Sequence, residues 1–428
     1  MKVLWIALVW PEVTSSAAGF RTLQLIEALK SAGYEVEVCS PCKANIYQEK
    51  LESLGIQTAS YKPNDSKFDE YVKKLDPSIV VFDRFMAEEQ FGWRVREQVP
   101  QALRVLDTID LHSLRRARHK RIADFANLND FALSEVDLET SDAIRELSSI
   151  FRSDLSLIIS DKELLLLESY YKVSAELLEL SRFHYSVEPR QAEFENRKHF
   201  IAIGNFNHEP NADSYRLLHK YLWPQIKDRL AEEGFTGAEL HIYGAYPTKE
   251  FLELDNPKTG FRIKGWTKDA LETLSQYRVN LAPLRFGAGI KGKVSDGWAV
   301  GTPCVGTEFA QEGMCEEFLF GGAIAENKGD FAQKAAKLYC DKALWISARD
   351  NGLAIIKALY NKEKSSETFL ASIRKALVER EDRRLRNFVG LMLWHHQHRS
   401  TEFFSRWIEA KNQNSSSQNI IDLSTISS

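Results

Sequence analysis

Leu281–Gly306 reads LAPLRFGAGIKGKVSDGWAVGTPCVG. An apolar run ends at Pro283, Gly287, Gly289 and Gly292 follow with lysines among them, and a helical pattern then continues to about Val300 before a short apolar run at Pro303–Gly306. Strand, glycine loop, helix, strand is the repeating unit of a parallel sheet covered by helices. Glycines let backbone N–H groups approach anionic oxygens, the helix presents the positive end of its dipole, and Arg285, Lys291 and Lys293 add charge. The loop therefore has the chemistry of a phosphate site. Its three glycines also satisfy GxGxxG, with Glu308 or Glu312 roughly where a ribose-binding acid would stand, but that fingerprint normally opens its domain and this loop follows a fourth strand. Gly287 to Lys293 spell GxxxxGK as well, yet residue 294 is valine and offers no hydroxyl to magnesium. A glycine turn solvated by its lysines is the plain alternative.

Upstream, strands are predicted at Phe200–Ile203, Ala238–Tyr243, Phe261–Lys264 and Val279–Pro283. Helices are predicted at Asp213–Leu230, where Leu218, Leu222, Ile226 and Leu230 share a face, and at Lys268–Tyr277. The first part of the chain alternates in the same way. Strands are predicted at Lys2–Val9, Glu35–Cys39, Ser78–Phe82, Leu103–Leu106 and Leu155–Ile159, with helices at Phe20–Ala32, Ile144–Ser149 and Glu163–Tyr171. Each strand ends in a polar or small residue, at the edge where parallel sheets keep their ligand loops. Ser186–Lys198 (SVEPRQAEFENRK) is polar, holds Pro189 and lacks an apolar period, and so reads as a linker. The expected domains are 1–185, Rossmann-like; 186–198, linker; 199–360, Rossmann-like; 361–411, C-terminal helices; and 412–428, a Ser- and Asn-rich frayed tail. The fold class is α/β, two doubly wound domains facing each other.

Composition agrees. At 428 residues, with 44% hydrophobic residues and a net charge of −4, the chain is neither disordered nor a general nucleic-acid coat, and no specific nucleic-acid partner is expected. Five cysteines cannot all pair and are too sparse for a disulfide framework, which points to a reducing, cytoplasmic setting. The longest apolar run, Val3–Trp10, is far short of the ~18 residues that span a bilayer. It mimics a short signal peptide, but the helical pattern that follows makes it a first strand.

Three ordered blocks, Ile203–Asn211 (IGNFNHEPN), Ile263–Thr267 (IKGWT) and Leu281–Gly306 with its PLRFGAGIKGK core, resemble the C-terminal half of glycosyltransferase family 4 enzymes. The likeness is good over about Phe200 to Gly313 and looser in the first half. It implies the GT-B fold, with two facing Rossmann-like domains and C-terminal helices crossing back to the first. It implies a retaining transfer, without metal or other cofactor, from a nucleotide-diphosphate sugar held by the second domain to a glycan, lipid-linked or other acceptor held mainly by the first. Surface-polysaccharide or glycoconjugate assembly is the implied setting. Lys291 and Lys293 would stabilise the leaving diphosphate, and His112 would touch the transferred sugar. The donor side would comprise Asn205, His208, Gly244, Gly265, Trp266, Arg285, Gly287, Ala288, Gly289, Ile290 and Asp296, and the acceptor side Gly19, Asp83 and Asp110. The absence of a strict Asp-x-Asp fits a transferase without metal.

Two departures from the family stand out. Its paired glutamates, eight positions apart, are here Ala288 and Asp296. Ala288 cannot hold sugar hydroxyls, which leaves the N–H groups of Ala288, Gly289 and Ile290 as substitutes. The Arg and Lys that many members carry after the first strand of this half are here Asn205, Asn207, His208 and Asn211. Rival readings are a non-catalytic GT-B module that binds a nucleotide sugar, and a sugar-nucleotide epimerase on the same fold.

Other signals are weaker. Arg115–Arg121 (RRARHKR) reads as a solvated face, or as a contact for anionic lipid headgroups or a phosphorylated acceptor. Residues 357–411, with 12 Lys+Arg against 7 Asp+Glu, could add to a surface that rests on the inner face of a membrane. Cys39 and Cys42 form a lone CxxC, and His395, His396 and His398 lack an evident carboxylate partner, so no metal site is expected.

Overall fold

A computed structural model describes the backbone of residues 1–122, 128, 135–186 and 193–424, and their side chains other than those of 135–136, 396–399 and 412–424. Two parallel sheets organise the chain. The first contains β1 (Lys2–Ile6), β2 (Glu35–Cys39), β3 (Gln57–Ala59), β4 (Ile79–Asp83), β5 (Leu103–Asp107), β6 (Leu155–Ile158) and β7 (Leu178–Leu180), in the order β3-β2-β1-β4-β5-β6-β7. The second contains β8 (Lys198–Ile203), β9 (Leu240–Tyr243), β10 (Phe261–Gly265), β11 (Tyr277–Ala282), β12 (Cys304–Gly306) and β13 (Gly322–Ile324), in the order β10-β9-β8-β11-β12-β13. In both sheets strand order reverses beside the first strand, between β1 and β4 and between β8 and β11. Those reversals open the crevices in which open α/β sheets bind ligands.

Helices cover both faces of each sheet, so the central strands are buried throughout rather than alternating. Val3 and Trp5 pack with Leu25, Ile26 and Leu29, while Leu4 and Ile6 pack with Phe82 and Phe91 on the other face. In the second sheet Phe200 and Ala202 meet Trp223 and Ile226, and Ile201 and Ile203 meet Leu274 and Tyr277. Each Val, Leu, Ile or Phe among them contributes ~1.5–3 kcal/mol relative to exposure.

Three strands lie outside the sequence expectation. β3, β7 and β13 have three residues each, too few to show a period. The helix expected over Asp213–Leu230 is three pieces, Glu209–Leu217, a π turn at Leu218–Leu222, and Trp223–Glu232. Pro224, in the first turn of the last piece, has no N–H to donate, and the wider turn accommodates it.

After the helix Lys342–Leu359 the chain returns to the first half, where the helix Lys362–Val378 sets Phe369, Ile373 and Ala376 in the core beside Val3 and Trp5. The two crossings between halves run side by side: Tyr185 N–H donates to Tyr360 O at 2.7 Å, and Lys362 N–H donates to Tyr185 O at 2.9 Å. Of the expected linker, Phe194–Asn196 form a 3-10 turn and Arg197 is buried in the second half against Thr302 and Val300. The last helix, Phe388–Ser424, enters the stretch expected to fray. That stretch contains neither Pro nor Gly to stop it. Residues 425–428 lie outside the described residues. Among the described residues no helix is long and apolar enough to cross a membrane.

Candidate functional site

The carboxyl ends of both sheets open onto one cleft of about 750 Å³. On the first-half wall, the loop after β1 leads into the helix Ala17–Ser31, whose N-cap Ser16 accepts from Gly19 N–H at 3.0 Å. Ser15, Ser16, Ala17 and Ala18 line the cleft but Gly19 does not. A Cβ on Gly19 would lie 2.4 Å from the Glu12 carbonyl carbon, so this glycine permits the helix to start against the preceding turn.

Asp83, at the end of β4, also lies off the wall. It is buried and accepts from Arg84 Nε and Nη2, each at 3.0 Å, and Arg84 faces the cleft in its place. Arg84 has φ 67° and ψ 159°, a conformation that favours glycine, and its N–H donates to Asp107 O at 2.8 Å. Asp110 and His112 follow β5 and do line the cleft. Asp110 accepts from Arg115 Nε at 2.8 Å and lies 3.3 Å from His112 Nε2. Burial pushes His112 down to about 4; Asp110 opposes this, and Arg115, Arg84 and Arg116 add to it. The ring is therefore neutral at pH 7.

On the second-half wall, Asn205 and His208 follow β8, and Asn211 Nδ2 donates to Asn205 O at 2.9 Å. Gly244 and Trp266 line the cleft beyond β9 and β10. Gly265 sits behind them with φ 73° and accepts from Gly244 N–H at 2.8 Å. At Gly244 itself a Cβ would come 2.0 Å from Gly204 O.

The glycine loop follows β11 and is fastened to the first half. Gly287 O accepts from Arg118 Nη1 at 2.7 Å. Gly289 N–H donates to Glu163 Oε1 at 2.7 Å, and the same oxygen accepts from Leu111 N–H at 2.9 Å. The Gly289 N–H is thus taken, which removes it from the groups expected to replace the missing acid. Ala288 packs against the first-half core, and Gly287, Ala288 and Ile290 line the cleft.

Lys291 donates to Gly289 O at 3.0 Å and lies 3.8 Å from Glu312 Oε1. Lys293 donates to Asn211 Oδ1 at 2.5 Å, and among the described residues no carboxylate pairs with it. Burial pushes Lys293 down to about 8. Asp296, one turn into the helix Gly292–Ala299, accepts from Tyr185 O–H at 2.5 Å and is pushed up to about 7 by burial. Lys291, Lys293 and Asp296 all line the cleft. Arg285 does not: it is fully buried, with Nε 2.8 Å from Asp213 Oδ2. The expectation that it neutralises phosphate is corrected, because alternation along the chain puts Leu284 and Phe286 on the cleft and Arg285 beneath.

The basic run RRARHKR is a solvated face only in part, with Arg116, His119, Lys120 and Arg121 exposed. Arg115 and Arg116 line the cleft, Arg118 holds both Glu312 oxygens at 2.7 and 2.6 Å, and His119 stacks on Phe286 with ring centroids 4.6 Å apart. Sequence reading missed Arg84, one residue from the acid it singled out, together with Tyr185 and Glu163, which carry no motif. In the CxxC, Cys39 is buried, which pushes its thiol up to about 12, and Cys42 Sγ donates to Leu8 O at 3.2 Å. Among the described residues no group of three or more His, Cys, Asp or Glu is placed to hold a metal ion. The side chains of His396 and His398 lie outside those described.

Comparison with solved structures places this architecture. HepE from Anabaena, solved with UDP, aligns with a TM-score of 0.63 at 12% identity over 88% of this chain and 100% of its own. A glycosyltransferase from Rickettsia africae aligns with 0.63 at 12% over 88% and 98%, and sucrose-phosphate synthase from Thermosynechococcus elongatus with 0.59 at 13% over 88% and 99%. No curated protein matches the chain. The structural likenesses show a GT-B fold, and residues 197–341, which contain the glycine loop, match the family model of glycosyl transferases group 1.

Proposed function

We propose that the protein is a glycosyltransferase that moves a sugar from a nucleoside-diphosphate sugar on its second half to an acceptor on its first. The observation that carries this reading is the meeting of two strand-order reversals across one cleft, with Lys293 on the donor wall lacking an acid partner among the described residues. Each reversal is a ligand crevice in its own right, and two facing crevices bring two ligands end to end, as a transfer requires. Lys293 and the N-terminus of the helix Gly292–Ala299 are placed to receive a diphosphate, whose charge would offset the cost of burying the ammonium. As the bond to the anomeric carbon stretches, charge grows on the β-phosphate oxygen, and a cation already fixed there favours the transition state. Lys291, tied to Glu312, supports the loop more than it offers free charge. Asp296, oriented by Tyr185, would accept from a ribose hydroxyl, and neutral His112 would face the sugar. Retention at the anomeric carbon, independence from metal, and a glycan or lipid-linked acceptor at a membrane's inner face enter through the resemblance to family 4.

A melting-temperature panel with UDP, GDP, ADP, NAD and ATP with magnesium tests the reading. A ligand at ~100 times its dissociation constant adds ~2.7 kcal/mol. One nucleoside diphosphate is expected to stabilise the protein without magnesium, and Lys293→Ala to abolish the shift. A shift with NAD alone, or with ATP only when magnesium is present, would refute it. Ala288 favours one second reading, the binding module, which wins if donor binds tightly and no acceptor in a lipid, glycan and protein panel gains a sugar.

A further inference from the structure

We propose that the acceptor carries an oxyanion, a phosphate or a carboxylate, seated on Arg84, Arg115 and Arg116. This rests on the transferase reading and names the substrate class of its acceptor side. Among the described residues, the charged side chains on the first-half wall are these three arginines and one acid, Asp110. All three line the same cleft as His112. Their carboxylate partners hold them without using them up. A guanidinium has five N–H donors; Arg84 directs Nε and Nη2 to Asp83, which is buried off the wall. Arg115 directs Nε to Asp110 and brings Nη1 within 3.5 Å of His208 Nε2 across the cleft. Arg116, half exposed, pairs through Nη1 with Asp142, which is not on the wall.

Arginines that line a cleft and are each paired with an acid through only part of the guanidinium form a receptor matched to oxyanions. The donor's own diphosphate has its counter-charge on the opposite wall, at Lys293 and the helix Gly292–Ala299. A neutral acceptor would gain little from three guanidiniums and would have to displace their water.

The test uses the full chain saturated with the nucleoside diphosphate found in the melting panel. Glucose 6-phosphate, glucuronate and glucose are titrated calorimetrically at one ionic strength, with inorganic phosphate as a fourth probe. At least one anionic sugar is expected to bind about tenfold or more tightly than glucose, the size of one charge-assisted hydrogen-bond set. Preference for the phosphate ester identifies phosphate as the group, and preference for glucuronate identifies carboxylate. Arg116→Gln and Arg84→Gln are expected to remove most of that preference while leaving the nucleotide-induced melting shift in place. Arg84→Gln leaves Asp83 buried without its partner, so the half-exposed Arg116→Gln decides the matter if the other does not fold. Equal binding of glucose and both anions, or a preference that survives Arg116→Gln, overturns the proposal with the transferase reading intact. If no nucleotide shifts the wild type, the transferase reading fails first and this one with it.

Discussion

Lys293 and Asp296 lie on the same short helix, and burial moves them in opposite directions. Because Lys293 titrates near 8 in the fold rather than at its ordinary 10.5, the unfolded chain holds more protons between those values. Stability is therefore expected to rise with pH across that window, and Lys293→Met to flatten the rise in melting curves. Binding of a nucleoside diphosphate should run the other way, its melting shift shrinking above about pH 8 as the Lys293 ammonium loses its proton. Asp296, raised from 3.8 to about 7, contributes stability that is present below 3.8 and lost as pH rises through 7. Asp296→Asn keeps an oxygen for Tyr185 and removes the buried charge. It is expected to melt a few degrees above wild type at pH 8, with the gap closing toward pH 5. The residue scale also shows where sequence reading slipped. Asp83 stood for Arg84 and Arg285 for its neighbours, each an error of one position. When both faces of a sheet are buried, apolar residues do not alternate with polar ones, and nothing in the sequence shows which way a strand-end side chain points.

At the scale of elements, the glycine loop and the helix after it were legible from their pattern, and ten strands from their apolar runs, β12 among them although it has only three residues. The short strands β3, β7 and β13 and the π turn were not, since tertiary contacts and one proline decide them. Gly244 belongs to this scale: its missing side chain lets the ends of β8 and β9 approach until a Cβ would be 2.0 Å from Gly204 O. Gly244→Ala is expected to cost ~2–4 kcal/mol in urea unfolding, and to distort the loop carrying Asn205 and His208. The helix His112–Lys120 was read as a solvated basic surface because its partners, Glu312, Gly287 and Phe286, are more than 160 positions away in the chain. Long-range pairing of charge leaves no local trace.

Over the whole molecule several contacts tie the two walls of the cleft together, Arg182 with Glu316 and Tyr47 with Tyr246 among them, and two of them grip the glycine loop. Arg118 grips Glu312 and Gly287 O, and Glu163 gathers N–H groups from both halves with one oxygen. Arg118→Ala is expected to enlarge the radius of gyration in solution scattering, and a nucleoside diphosphate to reverse part of the change. An unchanged radius would show that the remaining contacts suffice. Glu163 is buried and pushed up to about 8, with Asp110 raising it and Lys291 lowering it. Its contribution to stability is fully present below its ordinary 4.5 and lost as pH rises through 8, so the closed form should loosen on the alkaline side, and less so in Glu163→Gln.

The adjacent crossings at Tyr185 and Tyr360–Lys362 join the halves as a spine joins the covers of a book. With both connections at one edge, the halves are expected to part by a swing about that line rather than by sliding. In the proposed transfer, the acceptor would then approach the donor along a single arc.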